Sequence, residues 1–165
     1  MKFNTHKDLK EAGFRGFVKI ADLQDGGCSE IPTTQGVYMI VAPEGYSPKF
    51  IEVGSGGFYK GKNPNVSIEK LQQEWVCGTC CLYIGETSAG RGLRGRISAY
   101  MRFGEGKPVG HKGGRLIWQL ADARDLLVCW KPLAEEYKTR KVENELITEF
   151  RQQHNQMRPF ANLKG

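Results

Sequence analysis

The apolar positions of this chain fall into short continuous runs and into stripes of helical spacing, a pattern that predicts a mixed α and β fold. Three apolar runs bounded by turn-forming residues predict β-strands over residues 37–42, 80–85 and 126–130. Three strands mixed with helices and no internal repeat favour an α+β or a three-layer α/β/α arrangement. Spacings of three and four predict helices over residues 7–12, 67–75, 92–103, 116–123 and 134–153.

Length and composition bound the domain organisation. At 165 residues with 39% hydrophobic content, the chain is long enough for one compact domain with its own core. The longest apolar run, residues 37–42, is far shorter than the roughly 20 residues of a membrane span. The first residues lack the apolar block of a signal peptide, and the five cysteines are therefore expected to be reduced. We expect a cytoplasmic protein with no membrane partner.

The positive charge is concentrated in one segment. The formal net charge is +6, and residues 91–115 hold seven Arg and Lys residues against one acidic residue, Glu105. Such a patch attracts polyanions, nucleic acid first, although a solvated basic face is the alternative. His111, on a glycine-rich loop, could contact a phosphate, carry a proton or be exposed. The residues predicted to bind nucleic acid are Arg91, Arg94, Arg102, Lys107, His111, Lys112 and Arg115.

The helix predicted from residue 92 carries an arginine at the margin of its apolar stripe. Arg96 lies about 40° around the helix from Tyr100 and one turn before it, so the two side chains are expected to touch. Arg94 lies about 120° from Tyr100. The alternative is that Arg96 only extends its charge from the stripe to solvent.

The long helix places a carboxylate on its apolar side. Glu143 lies between Val142 and Ile147 on the arc that these residues form with Leu146 and Phe150. A carboxylate on a buried face costs several kcal/mol unless a cation or hydrogen bonds receive it. Glu143 is therefore a candidate for a functional site, and the alternative is a structural ion pair, for example with Arg96.

Two tyrosines lie in the middle of otherwise aliphatic predicted strands. Tyr38 and Tyr83 must each find a partner for the phenolic hydroxyl if they are buried. Tyrosines are common in protein cores, so neither residue alone indicates a site.

Taken together and in order, these residues resemble the GIY-YIG nuclease superfamily. The resemblance runs from about residue 30 to 164 and implies an α+β fold with a three-stranded antiparallel sheet flanked by helices. The whole chain, 1–165, would be one nuclease domain with an N-terminal extension over 1–30 and an insertion over 43–76. The matching positions are GVY at 36–38, YIG at 83–85, Arg96 with Tyr100, Glu143, and Asn162 within RPFANL.

Two spacings depart from the pattern of that family. The family joins its two signature strands by a short hairpin, whereas a long insertion separates Tyr38 from Tyr83 here. The gap between Tyr83 and Arg96 is also longer than usual, with SAGRG as the apparent insertion. Arg94 could therefore compete for the role of the family's arginine, although the helical geometry favours Arg96.

The resemblance implies a metal-dependent endonuclease, a hydrolase that cuts DNA phosphodiester bonds. Glu143 would hold one Mg²⁺ or Mn²⁺ whose shell is completed by water, since a hard cation prefers oxygen ligands. Arg96 would clamp the scissile phosphate, and Tyr38 would orient or deprotonate the attacking water. A phenol with its ordinary pKa near 10 is a poor base, so the metal or Arg96 would have to lower the pKa of Tyr38.

Three further roles follow from the resemblance. Tyr83 would assist by hydrogen bonding in the same cleft, Tyr100 would contact a phosphate or the water network, and Asn162 would fix the backbone of the site. An inactive nucleic-acid-binding module of the same fold is the alternative function.

Two other motifs carry less weight. Cys77 and Cys80 form one C-x-x-C pair, but a structural zinc site needs four ligands, so we expect no structural zinc. Residues 56–62 have the spacing of a phosphate loop, but Asn63 replaces its Ser or Thr and Pro64 blocks the helix that should follow. We therefore expect no nucleotide cofactor. The sequence leaves the oligomeric state open.

Overall fold

The computed structural model describes residues 1–111 and 113–163 and has an α+β fold built on one four-stranded antiparallel sheet. The strands are β1 (Arg15–Lys19), β2 (Gly36–Val41), β3 (Cys81–Thr87) and β4 (Leu127–Pro132). They lie side by side in the order β1-β4-β2-β3, which makes β3 an edge strand. The three predicted strands correspond to β2, β3 and β4. The predicted three-stranded sheet is wrong in its strand count, because β1 pairs with β4.

The additional strand, β1, lacks the pattern by which strands are recognised in a sequence. Its residues are exposed or half-buried without alternation. Gly16 and Phe17 both have positive φ angles, and the register with β4 shifts between Gly16 and Val18. A short, bulged edge strand of this kind buries little apolar surface, so hydrophobic patterning does not reveal it.

Five α-helices of the described residues flank the sheet. The predicted helix over 116–123 is instead two 3₁₀ turns, because the backbone of Leu120 is extended and forms a β-bridge with Phe50. The predicted helix over 134–153 begins later, because residues 134–137 form a turn whose carbonyls at Ala134 and Tyr137 accept hydrogen bonds from Gln35. The helices are α1 (His6–Glu11), α2 (Ile20–Gly26), α3 (Ile68–Glu74), α4 (Gly92–Gly104) and α5 (Thr139–Gln153); 3₁₀ turns cover Tyr59–Gly61, Arg115–Gln119 and Ala123–Asp125.

The sheet separates two apolar layers. All six residues of the central strand β2 are buried, and alternate residues enter different layers. Tyr38 and Ile40 pack in the layer that contains α2 and α4, whereas Val37 and Met39 pack in the layer that contains α1 and α5. The sheet edge at β3 is therefore the place where side chains from both layers can meet.

The insertion over 43–76 is attached to the domain by backbone hydrogen bonds, by the bridge between Phe50 and Leu120, and by one buried side chain. Gln119 donates from Nε2 to the carbonyls of Ile51, Glu52 and Val66, and its Oε1 accepts from the Val66 N–H. Because Gln119 is fully buried, these bonds compensate for its lost hydration. None of the helices among the described residues is both long and apolar enough to cross a bilayer.

Candidate active site

The phenol of Tyr38 reaches over the edge strand because a glycine lies beneath it. Tyr38 of β2 is paired with Gly85 of β3. A Cβ atom at Gly85 would lie 2.5 Å from Cζ and 2.6 Å from the hydroxyl of Tyr38. Both distances are too short for a nonbonded contact, so any side chain at this position would clash with the phenol. The glycine of the YIG segment therefore makes room for Tyr38 and directs its hydroxyl to the outer edge of the sheet.

Three phenols gather at this edge. The ring centroids of Tyr38, Tyr83 and Tyr100 lie 5.7 to 6.5 Å apart. Burial raises the pKa of all three hydroxyls above the usual value of tyrosine. At Tyr38 the nearby Arg96 guanidinium acts in the opposite direction. Uncharged phenols are therefore the stable form in this structure.

Arg96 is a half-buried guanidinium without a carboxylate partner. It lies on α4 one turn before Tyr100, and it forms no ion pair with a carboxylate of the described residues. Burial raises the pKa of Tyr38 and lowers that of His111; the charge of Arg96 opposes the first shift and adds to the second. Arg96 thus lies beside the phenols, and no ion pair with a described residue neutralises its charge.

Arg94, the competing arginine, has a different role. Its Nε donates to the Ile31 carbonyl at 2.8 Å and its Nη2 to the Ser29 carbonyl at 2.7 Å. These bonds hold the segment before β2 against α4. The guanidinium that lies beside the phenols is therefore that of Arg96.

Glu143 approaches the same edge from the opposite layer. It lies on α5, is half-buried, and forms no ion pair with Arg96 or another described cation. Burial and then the charge of Glu86 raise the pKa of Glu143 to about 7, against smaller opposing effects of Arg140 and Arg96. The structural ion pair between Glu143 and Arg96, the alternative from the sequence, is not formed.

Glu86 is a second carboxylate that the sequence analysis did not single out. It follows YIG directly and points to the opposite face from Gly85, where the Thr139 hydroxyl donates to it at 2.5 Å. Two neighbouring carboxylates that form no ion pair with a described residue are a donor set that suits a hard divalent ion. Its signal in the sequence is its place one residue after the YIG glycine.

His111 lies inside the site, whereas the sequence analysis placed it on the nucleic-acid-binding surface. Its ring stacks on Tyr100 with centroids 4.1 Å apart and planes 10° apart, and only 2% of the residue is exposed. Its Nε2 is 3.3 Å from the Tyr38 hydroxyl, and its Nδ1 is 2.6 Å from the Gly113 carbonyl oxygen. Burial and the charge of Arg96 lower the pKa of His111 to about 3.

Tyr100 and Asn162 hold backbone in place around the phenols. The Tyr100 hydroxyl donates to the Gly114 carbonyl at 2.5 Å and so anchors the loop that carries His111. The Asn162 side chain accepts from the Ile84 N–H and donates to the Ile84 carbonyl, both at 2.8 Å. Asn162 thereby caps the free edge of β3 next to Tyr83.

The remaining basic residues lie around this edge with different exposure. Arg91 and Arg102 are exposed, and Lys107 is exposed but pairs with Glu105 at 3.3 Å. Arg115 is half-buried and lines a pocket of about 130 Å³ together with His111 and Lys60. Lys112, also predicted to bind nucleic acid, lies outside the described residues.

The charged groups of the site are more exposed than its phenols. Tyr38 and Tyr100 are fully buried, and Tyr83 is nearly so. Arg96 and Glu143 are both partly exposed. A ligand in solvent can therefore reach the guanidinium and the carboxylate first.

The five cysteines are free, and Cys28 packs in the same apolar layer as the phenols. Cys80, Cys81 and Cys129 pack in the apolar layer of α1 and α5, while Cys77 is exposed. Burial raises the pKa of Cys80 to about 12. No three His, Cys, Asp or Glu side chains within residues 1–111 and 113–163 are grouped as ligands of a metal ion, an arrangement that one carboxylate with water ligands does not require.

The chain matches no family model, no curated protein and no solved structure.

Proposed function

We propose that the chain is a metal-dependent endonuclease of the GIY-YIG type that hydrolyses DNA phosphodiester bonds. The observation that carries this proposal is the pair Arg96 and Glu143, two half-buried opposite charges beside Tyr38 that do not pair with each other. An uncompensated charge in a partly buried position costs stability. Ligands would offset this cost by supplying the missing charges: a phosphate at Arg96 and a divalent cation at Glu143.

Glu143 is the residue that would hold Mg²⁺ or Mn²⁺, with Glu86 close enough to add negative charge. A bound Mg²⁺ would neutralise charge on the phosphate and support the leaving 3′ oxygen. Burial keeps part of the Glu143 population protonated near neutral pH, so cation binding there releases protons. The carboxylate is the correct chemical type for this ion and is reachable from solvent.

The remaining steps belong to side chains of the chain itself. Arg96 binds the non-bridging oxygens of the phosphate in the geometry that a guanidinium fork favours. Tyr38 orients the attacking water through its hydroxyl, and Tyr83 supports that hydroxyl from the neighbouring strand. Tyr38 is fully buried, so a water would reach its hydroxyl only if Arg96 moved away from it toward the phosphate.

DNA is the polyanion that the basic segment fits best. Arg91 is the N-cap of the helix that carries Arg96, Arg102 lies on that helix, and both are exposed, so each can contact a phosphate of the DNA backbone. These contacts position the DNA without reading its sequence. Binding is therefore expected to weaken steeply with salt.

A nucleic-acid-binding module without catalytic activity is the second candidate. One observation favours it: the Tyr38 hydroxyl is fully buried, so no water can contact it in this arrangement. Such a module would use Arg96 and the exposed arginines as an anion-binding surface. It predicts DNA binding that is unaffected by Mg²⁺ and never followed by a cut.

Conversion of supercoiled plasmid DNA to nicked and linear forms separates the two candidates. We expect the wild-type protein to cut with Mg²⁺ or Mn²⁺ and to be inactive with EDTA. Glu143→Gln should lower the cutting rate by about a thousandfold, since the metal contributes several kcal/mol to the barrier. Glu145→Gln, on the exposed face of the same helix, should cut like wild type. A wild-type protein that binds DNA but leaves it intact with both metals would falsify the endonuclease proposal.

A further inference from the structure

We propose that His111 is a positioning residue that accepts the proton of Tyr38 while Tyr38 takes a proton from the attacking water. The inference rests on the proposed function and adds a proton relay to it. It concerns a residue outside the motifs by which the chain resembles a nuclease.

The hydrogen bonds of the ring define which nitrogen carries the proton. Nδ1 lies 2.6 Å from the Gly113 carbonyl oxygen. A carbonyl oxygen can only accept, so Nδ1 must donate its N–H. A neutral imidazole has one N–H, and Nε2 is therefore an acceptor. The Tyr38 hydroxyl, 3.3 Å from Nε2, is left as the donor.

This polarity determines what Tyr38 can do for a water molecule. Its only proton points at His111, so toward its other neighbours, Tyr83 and Arg96 in this structure, its oxygen can only accept a hydrogen bond, and a water that displaces one of them would donate to it. If Tyr38 had to act as a free phenolate, burial would oppose the ionisation, because it raises the pKa of the hydroxyl. A relay avoids that charge, since the phenol remains neutral before and after the step.

The step balances in atoms and electrons. The water oxygen forms the new bond to phosphorus as the bond from phosphorus to the 3′ oxygen breaks, and the electron pair of that bond leaves with the 3′ oxygen. One water proton moves to the Tyr38 oxygen while the Tyr38 proton moves to Nε2 of His111. The products are a 5′ phosphate, a 3′ oxygen that takes a proton from solvent, and an imidazolium that releases its proton afterwards.

The charges around His111 make its basicity depend on substrate. In the free protein burial and the Arg96 guanidinium disfavour an imidazolium. A phosphodiester on Arg96 offsets that positive charge, and the offset grows as negative charge develops on the phosphate in the transition state. The groups that face the ring are the neutral phenols of Tyr38, Tyr83 and Tyr100 and, through their charge, Arg96 and Arg91.

The loop around His111 is built to hold the ring in this place. A Cβ at Gly113 would lie 2.3 Å from the Tyr83 hydroxyl, and one at Gly114 would lie 2.4 Å from the Tyr100 hydroxyl. Only glycines allow the loop to approach the phenols this closely. Tyr100 then fixes the ring by stacking on one side and by its bond to the Gly114 carbonyl.

Three variants separate basicity from hydrogen bonding. His111→Gln can place an amide oxygen where Nε2 was and keep the bond from Tyr38 without a base. His111→Asn can keep the donor to Gly113 and lose the contact with Tyr38. His111→Ala removes both functions and leaves a cavity that small imidazoles can enter. Single-turnover cleavage of a labelled duplex with Mg²⁺ gives the rate, and fluorescence anisotropy with Ca²⁺ gives the Kd for DNA.

We expect all three variants to cut about 10² to 10⁴ times more slowly with Kd values within threefold of wild type. Imidazole should restore cutting by His111→Ala, and a series of substituted imidazoles should do so at rates that rise with their pKa. A weaker Kd with an unchanged cleavage rate identifies a phosphate contact and overturns the relay. If the rate of rescue does not depend on the pKa of the added base, the role of His111 is purely structural and the relay is also overturned.

The relay and the proposed function fail in distinguishable ways. A wild-type protein that cuts, with His111 variants that cut within threefold of it, overturns the relay alone. A wild-type protein that never cuts overturns both. The tautomer needs no activity to test: ¹⁵N chemical shifts of histidine-labelled protein at pH 7 should give an Nδ1–H ring for the signal that His111→Gln removes, and an Nε2–H ring there contradicts the relay.

Discussion

The negative charge of Glu143 disfavours folding and would favour the binding of a cation. Its pKa of about 7 lies above the ordinary value of 4.5, because burial and the charge of Glu86 disfavour its ionised form. Between these two pH values the folded protein binds more protons than the unfolded chain does. Stability therefore decreases as pH rises through this interval. A carboxylate whose pKa is raised in this way is a candidate for a ligand-binding residue.

Glu143→Gln is consequently expected to stabilise the protein at alkaline pH in the absence of divalent cations. Glutamine has the same shape and no charge, so the variant should exceed wild type by about 1–2 kcal/mol at pH 8 after allowance for the partial exposure of this side chain. At pH 4 the two proteins should be equally stable. Urea unfolding followed by circular dichroism at both pH values measures the difference.

Glu145→Gln on the exposed face of α5 is the control and should show no such pH-dependent gain. Millimolar Mg²⁺ should stabilise wild type at pH 8 and leave Glu143→Gln unchanged, because only a folded state that binds the ion gains from it. A wild-type protein that is more stable than Glu143→Gln at pH 8 without metal contradicts the burial argument.

At the scale of elements, the edge strand β3 is held in place by the C-terminal segment. Asn162 pairs with both backbone groups of Ile84, and the Ala161 N–H donates to the Leu82 carbonyl at 2.9 Å. These bonds flank Tyr83 on both sides along the strand. The position of this phenol, and of Gly85 beneath Tyr38, therefore depends on residues near the end of the described chain.

Asn162→Ala should destabilise the fold and lower activity together. The change leaves a buried N–H and a buried carbonyl of Ile84 without partners, at a cost of about 2–4 kcal/mol. Thermal unfolding should show the loss as a lower Tm, and the plasmid assay at a temperature where the variant is folded should show slower cutting. Asn144→Ala, exposed on α5, should change neither quantity. A normal Tm for Asn162→Ala contradicts the role assigned to these bonds.

The elements that the sequence predicts well are those that bury apolar side chains. β2, β3 and β4 carry continuous apolar runs, and α4 and α5 carry stripes of helical spacing. β1 has no such run and has two residues with positive φ. α2 has seven residues and no side-chain cap, so neither start signal nor length identifies it. Local patterning cannot reveal an element that is formed mainly by its partners.

At the scale of the whole molecule, the sequence predicts which side chains meet at the edge of β3 better than it predicts how they are covered. Order along the chain and helical spacing select Tyr38, Arg96 and Glu143. They do not predict that the loop after α4 folds back and buries His111 against Tyr100, because that contact depends on glycines whose role is to lack a side chain. Glu86 is missed because a carboxylate next to a strand end is usually solvated.

The positive charge of the molecule is concentrated in one segment of the chain. The salt dependence of DNA binding can therefore test which basic residues contact phosphates. We expect log Kd to rise linearly with the logarithm of salt concentration, and Arg102→Gln to lower the slope by about 1 if this exposed residue on α4 contacts one phosphate. Lys7→Gln, on α1 in the opposite layer and exposed by 83%, should leave the slope unchanged. Anisotropy titrations of a labelled duplex from 50 to 200 mM NaCl with Ca²⁺ give these slopes. If Arg102→Gln has the same slope as wild type, or if the slope falls equally in Arg102→Gln and Lys7→Gln, the attraction is spread over the surface. In that case α4 does not direct the DNA to Arg96.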